Sequence, residues 1–463
     1  MSDDADSRNA HSSAMVDTMK GQPLALLENA EVAVQSAIPV FSSKKAYIAF
    51  LFENAREQEG FWNRTKDLKH VCRTTDGTHE AIMEKFGGEY NKAYEWEVVW
   101  KCAWPMERNT SHCHDVVVVQ TASPQEERVV GTVRACDSRT ANDAGDYPYK
   151  IAACVKPLWE NANDLPHSGL IKLPQWLEYN VMHGVDQFMI YTVKSRPIES
   201  SIMLKIAEPY FKAGLASHIE VDMPWAGGKS SAEQNRIVQV AMENDCLYRY
   251  KGRASWLMPS IDVDEYLHIE GQTPETSFTD LLPSPTYISE VQLTKYRHEV
   301  VSDPMTMLDI ESTQRENHLA HAMPKYFANT ALTNVCWTHW VQSWVPNMKP
   351  LAISTDHAQL HEYYWSDGSG ANTTDAVLTK ESTALKTRLE MRHGMPWKEL
   401  QELLHSEKYV PKFPNASERA SSMLLDVGGK LGLPDDEAIM EESRDYLEML
   451  ASLRQDTMVE NPR

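Results

Sequence analysis

The spacing of apolar and polar positions divides the chain into stretches of different period. Residues 1–35 show little periodicity, and the polar, acidic start "MSDDADSRNAHSSAMVDTMKGQ" reads as a disordered leader over 1–44. From 45 to 148 the period is two. "YEWEVVWKCAW" puts Tyr94, Trp96, Val98, Trp100, Cys102 and Trp104 on one face by strict alternation. "HDVVVVQTA" and "ERVVGTVRAC" follow around the turn-like "SPQE". This predicts a small antiparallel β-rich domain whose aromatic stripe is core.

At about 149 the pattern changes to short apolar strands alternating with helical stretches. "YKIAACV", "VDQFMIYTV", "ASHIEVD" and "SWLMPSID" read as strands. Between them, "PQWLEYNVMHG" reads as a helix with Pro174 in its first turn and Gly184 as its stop. "ESSIMLKIAEPYFKAG" reads as a helix ending at Gly214, and "SAEQNRIVQVAMENDCLYRYKG" as one starting near Ser231. A β-α-β-α-β-α-β order implies an α/β fold with a mostly parallel sheet covered by helices on both faces. In such open sheets ligands bind outside the carboxyl ends of the strands. Beyond 280 the chain is less regular: "TYISEVQLTKYRHEV" reads as one strand, and two later segments as strand-and-loop carrying histidines. From about 375 it is helical and charged, with a helical extension over 401–463 whose clearest helix is "DDEAIMEESRDYLEMLASLRQ".

Composition narrows the partners. A net charge of −21 over 463 residues argues against binding a nucleic-acid backbone, which needs a basic face. No apolar run approaches the roughly 20 residues of a membrane span, and the N-terminus lacks a signal-peptide pattern. Seven cysteines with no CxxC pair permit disulfides without requiring them. Four sequons, at Asn63, Asn109, Asn372 and Asn415, point weakly to a secretory compartment.

The chemistry concentrates in "SWLMPSIDVDEY". An apolar strand there runs into Asp262, Asp264 and Glu265. Burying unpaired carboxylates costs several kcal/mol or more, so they must emerge at the strand end onto solvent, a partner or a cation. Two residues apart in an extended segment, Asp262 and Asp264 point the same way and can reach one hard cation, Mg²⁺ or Mn²⁺. An EF-hand is excluded, because Tyr266 and Leu267 stand where that loop needs an oxygen ligand and a glycine. His357 and His361 would share a face if helical, but no HExxH accompanies them.

"LPQWLEYNVMHGVDQFMIYTV", "AMENDCLYRYKGRASWLMPSIDVDEYLHI" and "AQLHEYY" together resemble glycosyltransferase family 92 over roughly 150–370. The resemblance implies a GT-A catalytic domain over 149–400, preceded by the β-rich accessory domain at 45–148. It implies inverting transfer of a hexose, galactose favoured, from a UDP-sugar to a glycan or other hydroxyl acceptor. It places Asp262 and Asp264 on Mn²⁺ or Mg²⁺ and on the diphosphate, with Glu265 behind them. It makes His361 a third metal residue, with His339 its competitor, and it makes Asn244, Asp245, Arg253 and Lys325 contacts of the nucleotide sugar. The inverting reaction needs a carboxylate base, for which Glu299 and Asp303 are the candidates. Two departures stand out: the second strand ends in "YTVKSRPIESS" rather than an Asp/Asn/Ser-rich turn, and "KYRHEVVSD" replaces a Phe-Gly element near the acceptor. The first leaves open a sugar-binding pseudo-transferase without activity. A haloacid-dehalogenase-type phosphatase also carries DxD at a strand end, but its motif closes the first strand, and here it closes the fourth. Family members sit in the Golgi lumen on an N-terminal anchor that this sequence does not show, so a secretory location is expected, with a soluble cytoplasmic one as the alternative.

Overall fold

The computed structural model describes residues 32–41, 46–54, 69–77, 80–82, 84–87, 97–104, 113–121, 127–136, 147–158, 169–193, 197–221, 231–283, 287–300, 308, 310, 324–344, 347–365 and 379–404. The four sequons, Asp303 and the helix expected after 434 lie outside them.

The first eight strands are β1 (Val32–Phe41), β2 (Ala46–Asn54), β3 (Lys69–Thr74), β4 (Glu80–Ile82), β5 (Glu84–Gly87), β6 (Glu97–Trp104), β7 (Cys113–Thr121) and β8 (Glu127–Cys136). They form two four-stranded antiparallel sheets, ordered β1-β2-β6-β5 and β4-β3-β7-β8. Strand β1 falls inside the segment expected to be a leader. Its pairing with β2 slips between Val34 and Ser36, so Gln35 is an extra residue in the strand. A bulge of this kind breaks strict alternation, which is why periodicity misses the strand.

The α/β part runs β9 (Tyr149–Val155), α1 (Gly169–Met182), β10 (Gln187–Val193), α2 (Pro197–Lys212), β11 (Ala216–Val221), α3 (Ser231–Tyr250) and β12 (Ala254–Met258). These four strands are parallel and lie in the order β11-β10-β9-β12. The order reverses between β9 and β12, which opens a crevice at their carboxyl ends. Three more strands complete a seven-stranded sheet: β16 (Lys325–Asn329), antiparallel to β12, then β14 (Ile288–Leu293) and β19 (Lys349–Ala352).

Side chains alternate across this sheet as a period of two dictates. Ile151, Ala153, Phe188, Ile190, Trp256 and Met258 face one core, which α1 and α2 cover. Ala152, Cys154, Met189, Tyr191 and Leu257 face a second, covered by Met242, Cys246, Leu247 and Tyr250 of α3. A Cys154–Cys246 disulfide staples α3 to β9.

Helix α1 starts at Gly169, five residues before the expected first turn, so Pro174 lies inside it. The expected stops hold: Gly184 and Gly214 have φ of 90° and 70°. At Gly184 a Cβ would also meet Ser277 Oγ at 2.7 Å, so only glycine fits. The expected single strand over 286–300 breaks at Thr294. Its second half, β15 (Lys295–Val300), joins a separate three-stranded sheet, β13-β20-β15, with β13 (Glu265–Ile269) and β20 (Ala358–Trp365). A hairpin, β17 (Thr333–Cys336) and β18 (Val341–Trp344), lies beside α3.

Helices α4 (Thr379–His393) and α5 (Trp397–Leu404) pack onto this unit, and α5 straddles the boundary expected at 400/401. Leu385, Leu389, Trp397, Leu400 and Leu404 join the α1–α2 core. Arg388 Nε and Arg392 Nε donate to Glu178 of α1 at 2.8 and 3.0 Å, and Glu178 is 1% exposed.

Candidate functional site

Chain leaves β9 as Lys156 and Pro157 and leaves β12 as Ser260, Ile261 and Asp262. The two exits border a cavity of about 420 Å³ at the crevice. The Asp262–Asp264 segment is a turn rather than extended. Its hydrogen bonds close on themselves: Asp262 N–H donates to Glu265 Oε2 (2.8 Å), and Glu265 N–H donates to the Asp262 carbonyl (3.0 Å). Tyr363 N–H of β20 donates to the Asp264 carbonyl at 2.8 Å. The turn still aims both aspartates into the one cavity. Gly169 lies close beneath, where a Cβ would sit 3.3 Å from Leu158 and from Val263.

Four lysines line the same cavity: Lys156, Lys172, Lys295 and Lys325. Lys156 Nζ is 2.6 Å from Asp262 Oδ1, and Lys325 Nζ is 2.8 Å from its Oδ2. Lys325 also donates to the Ser260 carbonyl (2.6 Å) and is 2% exposed. Lys295 bridges Glu265 and Glu362, each at 3.0 Å. Lys172 donates to the Tyr363 carbonyl (2.8 Å) and stands 3.9 Å from Asp264.

These neighbours split the two aspartates. Burial works against ionisation of Asp262, but the ammonium groups of Lys156 and Lys325 outweigh it and hold the carboxyl well below the usual range. Asp264 is pushed up to about 7. Burial is the main cause and Lys172 opposes it, while the negative charges of Asp262, Glu265 and Glu362 add to it. Beneath the cavity floor, Glu243 is fully buried and also raised to about 7, chiefly by burial. Gln239 donates to one of its oxygens at 3.0 Å, and the other has no hydrogen-bond partner.

Of the other expected residues, Lys325 and His339 reach the cavity. Burial, Lys325 and Lys295 keep His339 neutral, and its Nδ1 faces the Pro324 carbonyl at 3.3 Å. His361 does not reach it. Neighbours along β20 point to opposite faces. Glu362 lines the cavity, so His361 turns away and stacks on Tyr296, with ring centroids 6.1 Å apart. His357 is in the exposed turn before β20, so it shares no helix face with His361.

Asn244 and Asp245 fasten α3 rather than face the crevice. Asn244 exchanges two hydrogen bonds with the Cys336 backbone (3.0 and 2.9 Å). Asp245 accepts from Tyr191 Oη (2.5 Å) and Arg249 Nε (2.6 Å). Arg253 is buried just before β12, at the amino edge of the sheet. A strand length of roughly 16 Å separates that edge from the cavity. Glu299 lies on β15 opposite Tyr364.

The cavity at the strand ends lies within residues 149–394, the span matched by the family model for glycosyltransferase family 92. The chain belongs to glycosyltransferase family 92. Membership implies transfer of a sugar from a donor to an acceptor, and it accounts for the α/β unit that carries the cavity. The two N-terminal sheets lie ahead of the matched span. A search of curated proteins found no match.

Lys156, Lys172, Lys295, Gln239, Glu243 and Glu362 are the site residues that sequence reasoning missed. Each lysine follows or interrupts an apolar run, as in "AACVKPLW", "GLIKLPQW" and "VQLTKYR". Lys156 sits at the carboxyl end of a predicted strand, and that position was the available signal for it.

Proposed function

We propose that this chain is an inverting, metal-dependent glycosyltransferase that moves a hexose, galactose favoured, from a UDP-sugar to a hydroxyl of a glycan or similar acceptor. The observation that carries this reading is the pairing of Asp262 and Asp264 with four lysines around one cavity at the switch point of the sheet. Lysines in that arrangement suit a diphosphate.

The donor set fits a hard divalent cation in part. Among the described residues no group of three or more His, Cys, Asp or Glu stands ready to hold a metal. Asp262 and Asp264 nevertheless share the cavity, and among the described residues Asp264 has only Lys172, at 3.9 Å, as a neighbouring cation there. Mn²⁺ or Mg²⁺ would be held by Asp262 and Asp264, with His339 as the third residue in place of His361. Such an ion supplies Lewis-acid stabilisation of a departing nucleoside diphosphate. The protein's own part is to seat the phosphates on Lys156, Lys172 and Lys325 and to fix the turn through Glu265. A carboxylate must take the acceptor's proton. Glu299 and Asp303 remain candidates, and Glu362 joins them because it lines the cavity.

The Cys154–Cys246 disulfide supports a secretory-pathway location, Golgi included, since such bonds persist in oxidising compartments. No helix among the described residues is long and apolar enough to cross a membrane.

A thermal-shift screen of UDP-, GDP- and ADP-sugars with and without Mn²⁺ tests the reading. UDP-sugars with Mn²⁺ should raise the melting temperature, because a ligand of the native state stabilises it. Asp264→Ala should abolish that response, and an unaltered Mn²⁺ response in the variant counts against the site. The clamp of two lysines on Asp262 favours a second reading, a sugar-binding pseudo-transferase. Hydrolysis of UDP-galactose without acceptor separates the two: a transferase turns over slowly, a pseudo-enzyme not at all.

A further inference from the structure

Both carboxylate oxygens of Asp262 already hold a cation: Lys156 on Oδ1 and Lys325 on Oδ2. A divalent ion approaching Asp262 meets an ammonium on each oxygen and competes with it for the carboxylate. The two lysines are not equally held. Lys325 is fixed by the Ser260 carbonyl as well and lies 3.5 Å from Glu265. Lys156, in the segment that leaves β9, is the one at the cavity lip, with 10% of its side chain exposed against 2% for Lys325. A displaced Lys156 ammonium in a partly buried site needs another anion, because leaving it uncompensated is costly.

Four ammonium groups and four carboxyl groups meet at the site. Lys156, Lys172, Lys295 and Lys325 face Asp262, Asp264, Glu265 and Glu362. A doubly charged cation alone adds positive charge, and the diphosphate of a nucleotide sugar alone adds two negative charges. The two together cancel.

We propose, on the donor reading given above, that Lys156 competes with the divalent cation for Asp262. It moves to the donor diphosphate when that cation binds, so cation and diphosphate bind as a coupled pair. By linkage, each then raises the other's affinity by the same factor.

The test is binding of Mn²⁺ to the full chain, read as loss of the free-ion EPR signal, with and without saturating UDP, alongside calorimetry of UDP in EDTA. Lys156→Met and Lys156→Gln are compared with the wild type, so that one poorly folded variant does not decide the outcome. Both variants should bind Mn²⁺ alone about tenfold more tightly, bind UDP alone more weakly, and lose most of the UDP-induced gain in Mn²⁺ affinity. Removing a lysine that merely supports the fold would not tighten metal binding. Unchanged or weaker Mn²⁺-only affinity in both variants, with UDP-supported binding intact, overturns the competition but leaves the metal-dependent reading standing. No Mn²⁺ binding by the wild type in either condition overturns both.

Discussion

Lys295 between Glu265 and Glu362 allows a quantitative test of how the aspartate turn is held. Glu265 has 0% side-chain exposure, Glu362 15% and Lys295 10%. Burial lowers the basicity of Lys295, but Glu265 foremost, with Glu362 and Asp262, more than offsets this and leaves its pKa raised. Glu265→Gln keeps the shape and one acceptor for the Asp262 N–H, and it leaves Lys295 with Glu362 and Lys325 with Asp262. No charge is orphaned, so the cost should be about 1–2 kcal/mol, below the 3–5 typical of breaking a buried pair. Glu362→Gln, more exposed, should cost about 0.5–1 kcal/mol. The double variant strips Lys295 of both bridging carboxylates and should cost about 4 kcal/mol, exceeding the sum of the singles by about 1 kcal/mol or more. Urea unfolding followed by tryptophan fluorescence, with slopes compared across the four proteins, measures all the terms. Additivity within about 0.5 kcal/mol would refute the shared-cation account.

Two further outcomes concern Glu243 and the disulfide. The native pKa of Glu243 is raised from 4.5 to about 7. Between those values the native state keeps a proton that the unfolded chain has released, so stability falls as pH rises from about 4.5 to about 7 and levels off above that. Glu243→Gln removes that titration, so it should stabilise the protein at pH 8 by about 2–3 kcal/mol relative to wild type, with little change near pH 4.5. A series of melts across pH checks the flattening, and an unchanged slope contradicts it. Replacing Cys154 and Cys246 together by alanine should cost about 2–4 kcal/mol. Comparing thermal melts with and without reductant isolates this bond if the variant's own response serves as the baseline.

The parallel core was legible because its strands are short apolar runs and its helices end at Gly184 and Gly214, where positive φ is required. The strand order was not, since nothing local to a strand states its neighbours. Asp262 and Asp264 were legible as a motif, and their shared cavity followed from the position of the motif at a strand end. Of their lysines only Lys325 was, through the family resemblance; Lys156, Lys172 and Lys295 come from separate segments of the chain and each alone looks like a solvated side chain. The placement of His361 at the cavity was not legible, because the period of a strand sends Glu362 inward and His361 outward, while His339 lines the cavity. Asn244 and Asp245 misled in a different way. Polar residues on a helix beside a crevice are as useful for anchoring the helix as for meeting a ligand, and here they anchor.

The antiparallel entry of β16 beside β12 has an evolutionary consequence. Strand polarity reverses there, so the first residue of one strand, Lys325, meets the loop that leaves the other. The exits of β9 and β12 are thereby joined at the rim by a residue from a strand entrance. Mutation at that entrance can retune the site's electrostatics without changing the sequence of the aspartate loop, although it removes that loop's bonds to Lys325.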